Sequence, residues 1–225
     1  MHLLPSSRLT LLAISAPLLL SRSAIAASPQ AAFRMSSSSP SSAATTLNLP
    51  AQDPQFEAQL GGAGANLDQR TERLVADSVS LFSAKPSPEI FARSWNKDAI
   101  FADPIAYAEG ARQYMAQWYG MPAAFSASEL LKWRLVKSDA DEVQYVQRQR
   151  YKIKLIGVEK EITSTVALQL DHEGKIKRFE DRWDHKPLPS GSIAMGLRKL
   201  NAVTVPLVVG VPKESKQVFE PKKEL

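Results

Sequence analysis

The longest stretch of alternating residues in the sequence lies at Val143–Leu155, in the second half of the chain. Its intervening positions are mostly Arg and Lys, whereas the other set consists of Val143, Tyr145, Gln147, Gln149, Tyr151 and Ile153. A period of two puts these two sets on opposite faces of a β-strand. Similar stretches, separated by turn residues, occur at Leu130–Lys137, Glu161–Leu170 and Lys175–His185. The sequence therefore predicts an antiparallel meander of four strands.

Helical patterns and one short strand precede the meander. An apolar stripe predicts a helix over Leu67–Ala84, and a second, short helix is predicted over Pro88–Trp95 because Ser87 can cap it and Pro suits a first turn. A short strand follows at Ala99–Ala102, and a third helix at Gly110–Gly120. Helices on one side of a meander, with one early strand at its edge, predict an α+β layer fold.

Composition excludes several classes of function. Residues 53–185 hold 18 basic and 20 acidic side chains, so the folded part carries no positive field for nucleic acid. The chain has no cysteine, which excludes disulfides and thiolate metal sites. Its three histidines are not paired with carboxylates at ligand spacing, so no metal site is predicted, and no cofactor is expected.

The first 52 residues contain no acidic side chain and predict a cleavable targeting leader over 1–34. Arg34-Met35-Ser36 resembles a mitochondrial matrix cleavage site, which favours a mitochondrial protein. Ala24-Ile25-Ala26 instead suits a secretory signal, and translation from Met35 would give a cytosolic protein. The apolar run is about twelve residues, shorter than the roughly 20 that a membrane span needs, so no span is predicted.

The segment 35–66 contains a serine-rich run and a GGAG sequence without periodicity, and it is predicted to be a disordered linker. The tail 187–225 has a short helical pattern at Ile193–Leu200 and an apolar run at Val203–Val211. We expect this tail to pack on the domain, as a lid or otherwise, or to be partly disordered. A partner-binding segment is the competing interpretation.

Three segments carry a resemblance to a known superfamily. They are Ile100-Phe101-Ala102-Asp103-Pro104, the aromatic helix Gly110–Tyr119, and Leu170–Ile176 followed by Trp183-Asp184. In this order they resemble the nuclear transport factor 2-like superfamily, in particular its SnoaL-like and ketosteroid-isomerase-like branches. The resemblance implies a cystatin-like α+β roll over 67–186, in which a curved antiparallel sheet wraps on three helices to form a cone with a ligand pocket inside.

The resemblance makes Asp103 the first catalytic candidate, because the Asp of the Asp-Pro dipeptide is the general base of the ketosteroid-isomerase-like branch. A half-desolvated carboxylate would have a raised pKa. Asp before Pro is equally a common turn former. The chain departs from the branch at Ser78–Ser80, the region of the first helix where its oxyanion-hole Tyr is expected, and near Val166, where its protonated Asp is expected. Steroid isomerase chemistry is therefore not predicted. Nor is the chemistry of the dehydratase branch, whose histidines lie inside the cone, because His172 falls in a turn and His185 at a strand end.

Asp181 is the second catalytic candidate, because alternation places it on one strand face with Phe179 and Trp183. It either belongs to a satisfied structural network or forms an acid/base pair with Asp103. The predicted ligand-binding residues are Tyr107, Trp118, Tyr145, Gln147, Gln149, Tyr151 and Trp183.

These patterns predict a SnoaL-like small-molecule pocket protein that binds a small apolar or aromatic ligand. It would be a cofactor-independent isomerase or lyase using Asp103 as acid/base, or a ligand binder. The alternative is a non-catalytic ligand-binding or protein-interaction module of the same fold, so enzymatic activity is left open. Because Arg148, Arg150, Lys152 and Lys154 charge the outer strand face, a monomer or weak homodimer is expected.

Overall fold

The computed structural model describes residues 49–62 and 64–220. The predicted leader and the predicted linker up to residue 48 lie outside the described residues. Within the two described ranges, none of the helices has the length and apolar character that crossing a membrane requires.

In the described part of the chain, six strands form one curved, unclosed sheet in the order β2-β1-β6-β5-β4-β3. The strands are β1 Trp95–Ala102, β2 Tyr107–Glu109, β3 Phe125–Ser138, β4 Glu142–Ile153, β5 Glu159–Leu170 and β6 Ile176–Trp183. Neighbours pair antiparallel except β1 and β6, which are parallel. Three register shifts along the β3–β4 pair mark irregularities that bend a strand, as β-bulges do. The predicted α+β cone fold is confirmed.

Three helices pack on the concave face of the sheet: α1 Gln69–Phe82, α2 Pro88–Ser94 and α3 Ala111–Ala124. The Asp68 side chain caps α1 by accepting from the Thr71 amide at 2.7 Å, and Ser87 caps α2. The helix predicted to end at Gly120 continues four residues further and includes Pro122. The core between helices and sheet is rich in aromatic rings, among them Phe91, Trp95, Tyr114, Trp118 and Phe179.

Residues 49–62 differ from the predicted disordered linker, because they are bound to β3. Arg134 on β3 is buried, and its guanidinium donates to the carbonyls of Phe56 and Glu57 at 2.7 and 2.6 Å. The Trp133 indole donates to the Pro50 carbonyl, and Phe56 is buried. The composition of this segment suggested little to bury, but the partners that order it lie about 80 residues further along the chain.

Two further helices, α4 Ser192–Val208 and α5 Lys213–Gln217, form from the tail. α4 is twice as long as the helix predicted at Ile193–Leu200, since Pro206 lies in its last turn and does not interrupt the turns before it. Arg198 and Ala202 are its buried residues, and α4 packs on α3 and β2. The Tyr119 hydroxyl lies 2.5 Å from Ser215 Oγ and ties α5 to α3. The large apolar side chains exposed along α4 are Ile193, Leu197, Leu200, Val203, Leu207 and Val208.

Candidate functional site

The two predicted catalytic carboxyls come from adjacent parallel strands. Ala102, the last residue of β1, pairs with Glu180 of β6, so Asp103 and Asp181 follow on neighbouring strands at the same end. They are close enough that the charge of Asp103 raises the pKa of Asp181. The structure therefore brings together the two acids that sequence patterns singled out separately.

Asp103 is half-buried and forms the turn that its position before Pro104 suggests. Its Oδ1 accepts from the amides of Ile105 at 2.8 Å and Ala106 at 2.6 Å, and its own amide donates to the Ala106 carbonyl at 3.0 Å. Burial raises the pKa of Asp103 to about 6, although these amides and the charge of Arg198 lower it. One oxygen is thus committed to the loop, while the carboxyl as a whole titrates well above its ordinary range.

Asp181 is more deeply buried, with 5% of its surface exposed. Its Oδ2 accepts from the Trp183 indole nitrogen at 2.7 Å, and its Oδ1 has no hydrogen-bond partner among the described residues. Burial raises the pKa of Asp181 to about 7, with a smaller rise from the charge of Asp103, while hydrogen bonds from Ser164 and Trp183 lower it. At neutral pH this carboxyl can therefore both donate and accept a proton.

The predicted inward face of β4 lies beside these acids. Tyr145 pairs with Val166, which in turn pairs with Asp181, and Gln147 pairs with Ser164, which pairs with Trp183. Within the described ranges, three buried polar atoms of β4 lack a hydrogen-bond partner: the Tyr145 hydroxyl and the side-chain carbonyls of Gln147 and Gln149. The Gln149 amide nitrogen donates to Ser128 Oγ at 2.9 Å.

Burial is also the main cause that raises the pKa of both tyrosines of β4 well above the usual range, and the charge of Asp181 adds to it. Asp103 and Tyr145 contribute in the same direction at Tyr151. The two phenols are therefore held in their neutral form, as hydrogen-bond donors next to the carboxyl pair.

The two tryptophans of the predicted lining differ in exposure. Trp118 is 2% exposed and packs edge-on against Phe82 and Phe101, so it belongs to the core. Trp183 is half-buried and holds Asp181 through its indole nitrogen. Trp183 is therefore positioned to touch a molecule bound beside Asp181, whereas Trp118 is enclosed by core aromatic rings.

Tyr107 lies elsewhere, which corrects the expectation that it shares a pocket with the other predicted residues. Its chain neighbours Ala106 and Ala108 are buried, and Tyr107 pairs with Ala102, which pairs with Glu180, so Tyr107 lies on the outer face of the sheet. There its ring faces Arg178 and Arg198 at 5.9 and 5.6 Å. The short strand β2 was not predicted, so the direction of this side chain could not be read from alternation.

Two residues near the acids were not predicted. Ser164, whose side chain lies near enough to Asp181 to lower its pKa, alternates with Val166 and could have been found from the period of two. Arg198 donates through Nε to the Asp103 carbonyl at 2.9 Å, a contact that depends on the docking of α4. In the described ranges, no group of three His, Asp or Glu side chains is placed to hold a metal ion.

Comparison with protein-family models and with curated protein sequences finds no match. Solved structures with a similar fold include a SnoaL-like family protein from Agrobacterium tumefaciens, 14% identical with a TM-score of 0.42, which covers 52% of this chain and 100% of its own. A SnoaL-like protein from Shewanella putrefaciens is 14% identical with a TM-score of 0.45, covering 60% of this chain and 92% of its own.

A protein with a ketosteroid isomerase-like fold from Catenulispora acidiphila, solved with trimethylamine, is 16% identical with a TM-score of 0.40 and covers 56% and 93% of the two chains. Such identities and scores carry no statement about activity. In fold, the chain resembles SnoaL-like, nuclear transport factor 2-like and ketosteroid-isomerase-like proteins.

Proposed function

We propose that the concave face of the sheet binds a small molecule and that Asp181 transfers a proton to or from it, without a cofactor. Asp103 supplies the negative charge that helps to keep Asp181 protonated near neutral pH. Tyr145, Tyr151 and the two glutamines of β4 orient the ligand, and Trp183 contacts it. The reaction class is an isomerisation or an elimination, since both can proceed by proton transfer alone.

One observation carries the proposal: on the concave face of β4 and β6, four buried polar atoms have no hydrogen-bond partner among the described residues. They are Asp181 Oδ1, the Tyr145 hydroxyl, Gln147 Oε1 and Gln149 Oε1. A buried polar atom left without a hydrogen bond costs about 1–3 kcal/mol, so four together are an expensive arrangement for a purely structural core. A ligand that offers hydrogen-bonding groups between apolar walls would satisfy them.

The division of roles follows from the contacts of the two acids. Asp103 Oδ1 already accepts two backbone amides, so moving this carboxyl would break the loop that follows β1. Among the described residues, Asp181 accepts a hydrogen bond at Oδ2 and none at Oδ1, which leaves Oδ1 for a proton and a ligand. The sequence interpretation gave the acid/base role to Asp103 with Asp181 as its partner, and the contacts favour the reverse assignment.

The first test is native mass spectrometry of the full chain purified from its own cells, followed by proton exchange. We expect a retained small molecule. That molecule, incubated with the protein in heavy water, should gain deuterium at a carbon, as followed by NMR. Asp181→Asn should slow this exchange by about 10²-fold or more while the ligand still binds. Asp184→Asn, on the exposed turn after β6, is the matched control and should exchange at the normal rate.

The variant Asp103→Asn distinguishes the roles of the two acids. It should retain exchange, with a pH optimum moved downwards, because removing the neighbouring charge lowers the pKa of Asp181. Abolished exchange in Asp103→Asn with normal exchange in Asp181→Asn would reverse the assignment. No exchange in any form of the protein, with the ligand bound, would exclude the proton-transfer function.

The second candidate function is the non-catalytic module of the same fold, and tight burial favours it. Tyr145, Gln147 and Gln149 are each 1% exposed or less, so a closed interior would suit a carrier or an interaction domain. Under this function an interaction domain would hold no small molecule, a carrier would hold one that gains no deuterium, and Asp181→Asn would stabilise the fold.

A further inference from the structure

A pocket of about 450 Å³ lies on the outer face of the sheet, away from the concave site. Its floor is formed by Tyr107 of β2 and by the outward residues of β6, Arg178, Glu180 and Arg182. The chain then leaves β6 through a turn in which Asp184 and His185 both have positive φ and the Lys186 amide donates to the Trp183 carbonyl. This turn directs 187–190 and then α4 across the outer face, and they form the opposite wall.

Positive charge exceeds negative charge in the lining of this pocket. Glu180 is the acidic residue there, and it is shared by two arginines: Arg178 Nε donates to one oxygen at 2.7 Å, and Arg182 Nε donates to the other at 2.8 Å. Both Glu180 oxygens thereby accept hydrogen bonds from arginines of the pocket lining. Arg198 supplies a third guanidinium to the same lining.

Arg198 is held in place without a direct carboxylate partner. It is 3% exposed, its Nε donates to the Asp103 carbonyl at 2.9 Å, and its Nη1 donates to the Pro189 carbonyl at 2.7 Å. Its third nitrogen, Nη2, is buried without a hydrogen-bond partner in the described part of the chain. Two neutral carbonyls fix the plane of this guanidinium. Burial lowers the pKa of Arg198, and the nearby charge of Asp103 opposes this effect without a direct hydrogen bond to the guanidinium.

Three cationic side chains lie close to the aromatic ring of Tyr107. The Arg198 guanidinium lies 5.6 Å from the ring centroid, that of Arg178 5.9 Å and the Lys199 ammonium 5.2 Å. Lys199 is paired with Glu109 on the exposed side. The ring therefore stabilises closely spaced positive charges that would otherwise repel one another.

We infer that this outer pocket binds a small organic anion, with a carboxylate or phosphate group on Arg198 and its neighbouring arginines and an apolar body against the opposite wall. The planar guanidinium is suited to both oxyanions, since its parallel N–H groups match their oxygens. The apolar wall consists of Pro187, Leu188 and Met195, and the volume is within the range of small-molecule pockets. The site does not depend on the function proposed for the concave face.

The test is isothermal titration calorimetry of the full chain with three probes: octanoate, its neutral analogue octanamide, and inorganic phosphate. We expect saturable binding of octanoate with a dissociation constant of about 1 mM or lower. Octanamide should bind at least about tenfold more weakly, because the charge-assisted bonds are lost. Phosphate should also bind more weakly than octanoate, because it lacks the apolar body.

Two substitutions localise the binding. Arg198→Met keeps an unbranched apolar stem, removes the guanidinium with its unpartnered nitrogen and should weaken octanoate binding at least about tenfold. Lys177→Met, an exposed residue of β6 outside this pocket, removes the same charge and should leave the affinity within about twofold of the parent chain. Should Arg198→Met fail to fold, Met195→Glu breaks no polar contact of the native chain and should abolish binding by repulsion.

The outcomes that overturn the inference are distinct. Equal binding of octanoate and octanamide would show that the pocket does not recognise the negative charge. Equal binding of phosphate and octanoate would show that the apolar wall contributes nothing to binding. Full affinity in Arg198→Met, or no saturable binding of either anion, would exclude the pocket altogether. All of these outcomes are independent of the deuterium exchange that tests the concave site.

Discussion

Asp181 has a carboxyl whose surroundings favour the neutral acid over the anion. Its Oδ2 accepts from the indole of Trp183, and its Oδ1 has no partner among the residues described. Asp103 places a like charge nearby, so that the two acids are not readily ionised together. The pair therefore titrates near neutral pH in the folded protein, and the free energy of unfolding should depend on pH in that range.

We predict that the parent chain loses stability between pH 4 and pH 7 partly through Asp181. The pKa of this residue is about 7 in the folded state and 3.8 ordinarily, so in this window the unfolded chain has released a proton that the folded chain keeps. The free energy of unfolding therefore falls as pH rises, by about 1.4 kcal/mol per pH unit and on the order of 4 kcal/mol in all, and levels off above pH 7.

Urea denaturation at several pH values measures this dependence. Asp181→Asn should flatten the fall, since its amide does not titrate, and Asp184→Asn should leave it unchanged. A dependence that is as steep in Asp181→Asn as in the parent chain would show that Asp181 has an ordinary pKa.

Whether a site residue could be predicted from the sequence depends on whether a local pattern identifies it. Asp103 could be predicted from its Asp-Pro dipeptide, and strand alternation predicted Asp181, Tyr145 and the glutamines. Arg198 was not, because nothing in the sequence of the tail indicates which carbonyls its guanidinium meets. Contacts between residues almost 100 positions apart depend on tertiary docking rather than on local pattern.

Among the elements, the segment 49–62 shows how a loop-like sequence is ordered by a strand. Its chain approaches β3 so closely at Gly62 that a Cβ there would lie 2.6 Å from Val136 Cα. Gly62 has φ of +89°, and Gly64, with φ of +86°, meets nothing within 4 Å. These two glycines therefore share a backbone conformation and differ only in how near β3 lies.

We predict that Gly62→Ala releases the segment 49–62 from β3, whereas Gly64→Ala does not. Both substitutions incur the cost of a left-handed residue, about 1–2 kcal/mol, but only Gly62→Ala adds a collision with backbone. Hydrogen exchange at the Asp53 amide, which donates to the Trp133 carbonyl at 3.0 Å, reports the attachment. Protection of that amide should be lost in Gly62→Ala alone, and equal protection in both variants would contradict the close approach.

Element boundaries were predictable where periodicity continued and not where packing decided them. The strand β5 was predicted at Glu161–Leu170 and spans Glu159–Leu170, because its alternation persists. The strand β3 begins at Phe125, five residues before the predicted start, in a stretch of small and polar residues whose extended form follows from pairing with β4. In the same way α4 exceeds its prediction through contacts with α3 and β2.

For the molecule as a whole, Trp95 links the helical layer to the sheet. It is fully buried at the start of β1, stacks on Tyr114 of α3 with centroids 4.6 Å apart, and stacks on Phe179 of β6 at 5.4 Å. Phe91 of α2 meets it edge-on at 6.3 Å. One side chain thus contacts two helices and a central strand, so the layers should unfold together.

We predict that Trp95→Ala destabilises the whole domain by about 3–5 kcal/mol, since the loss of so large a buried ring leaves a cavity bounded by both layers. With a urea dependence of about 2 kcal/mol per molar, the unfolding midpoint should fall by about 2 M. Within each protein, circular dichroism, which follows the helices, and tryptophan fluorescence, which follows the packing of the rings between helices and sheet, should change over the same range of urea concentration. Leu155→Ala, at an 85% exposed hairpin residue, should shift the midpoint by about 0.25 M or less. Separate transitions for the two signals in the parent chain would mean that the helices and the sheet unfold independently. Trp95 would then be an ordinary core residue that does not link the two layers.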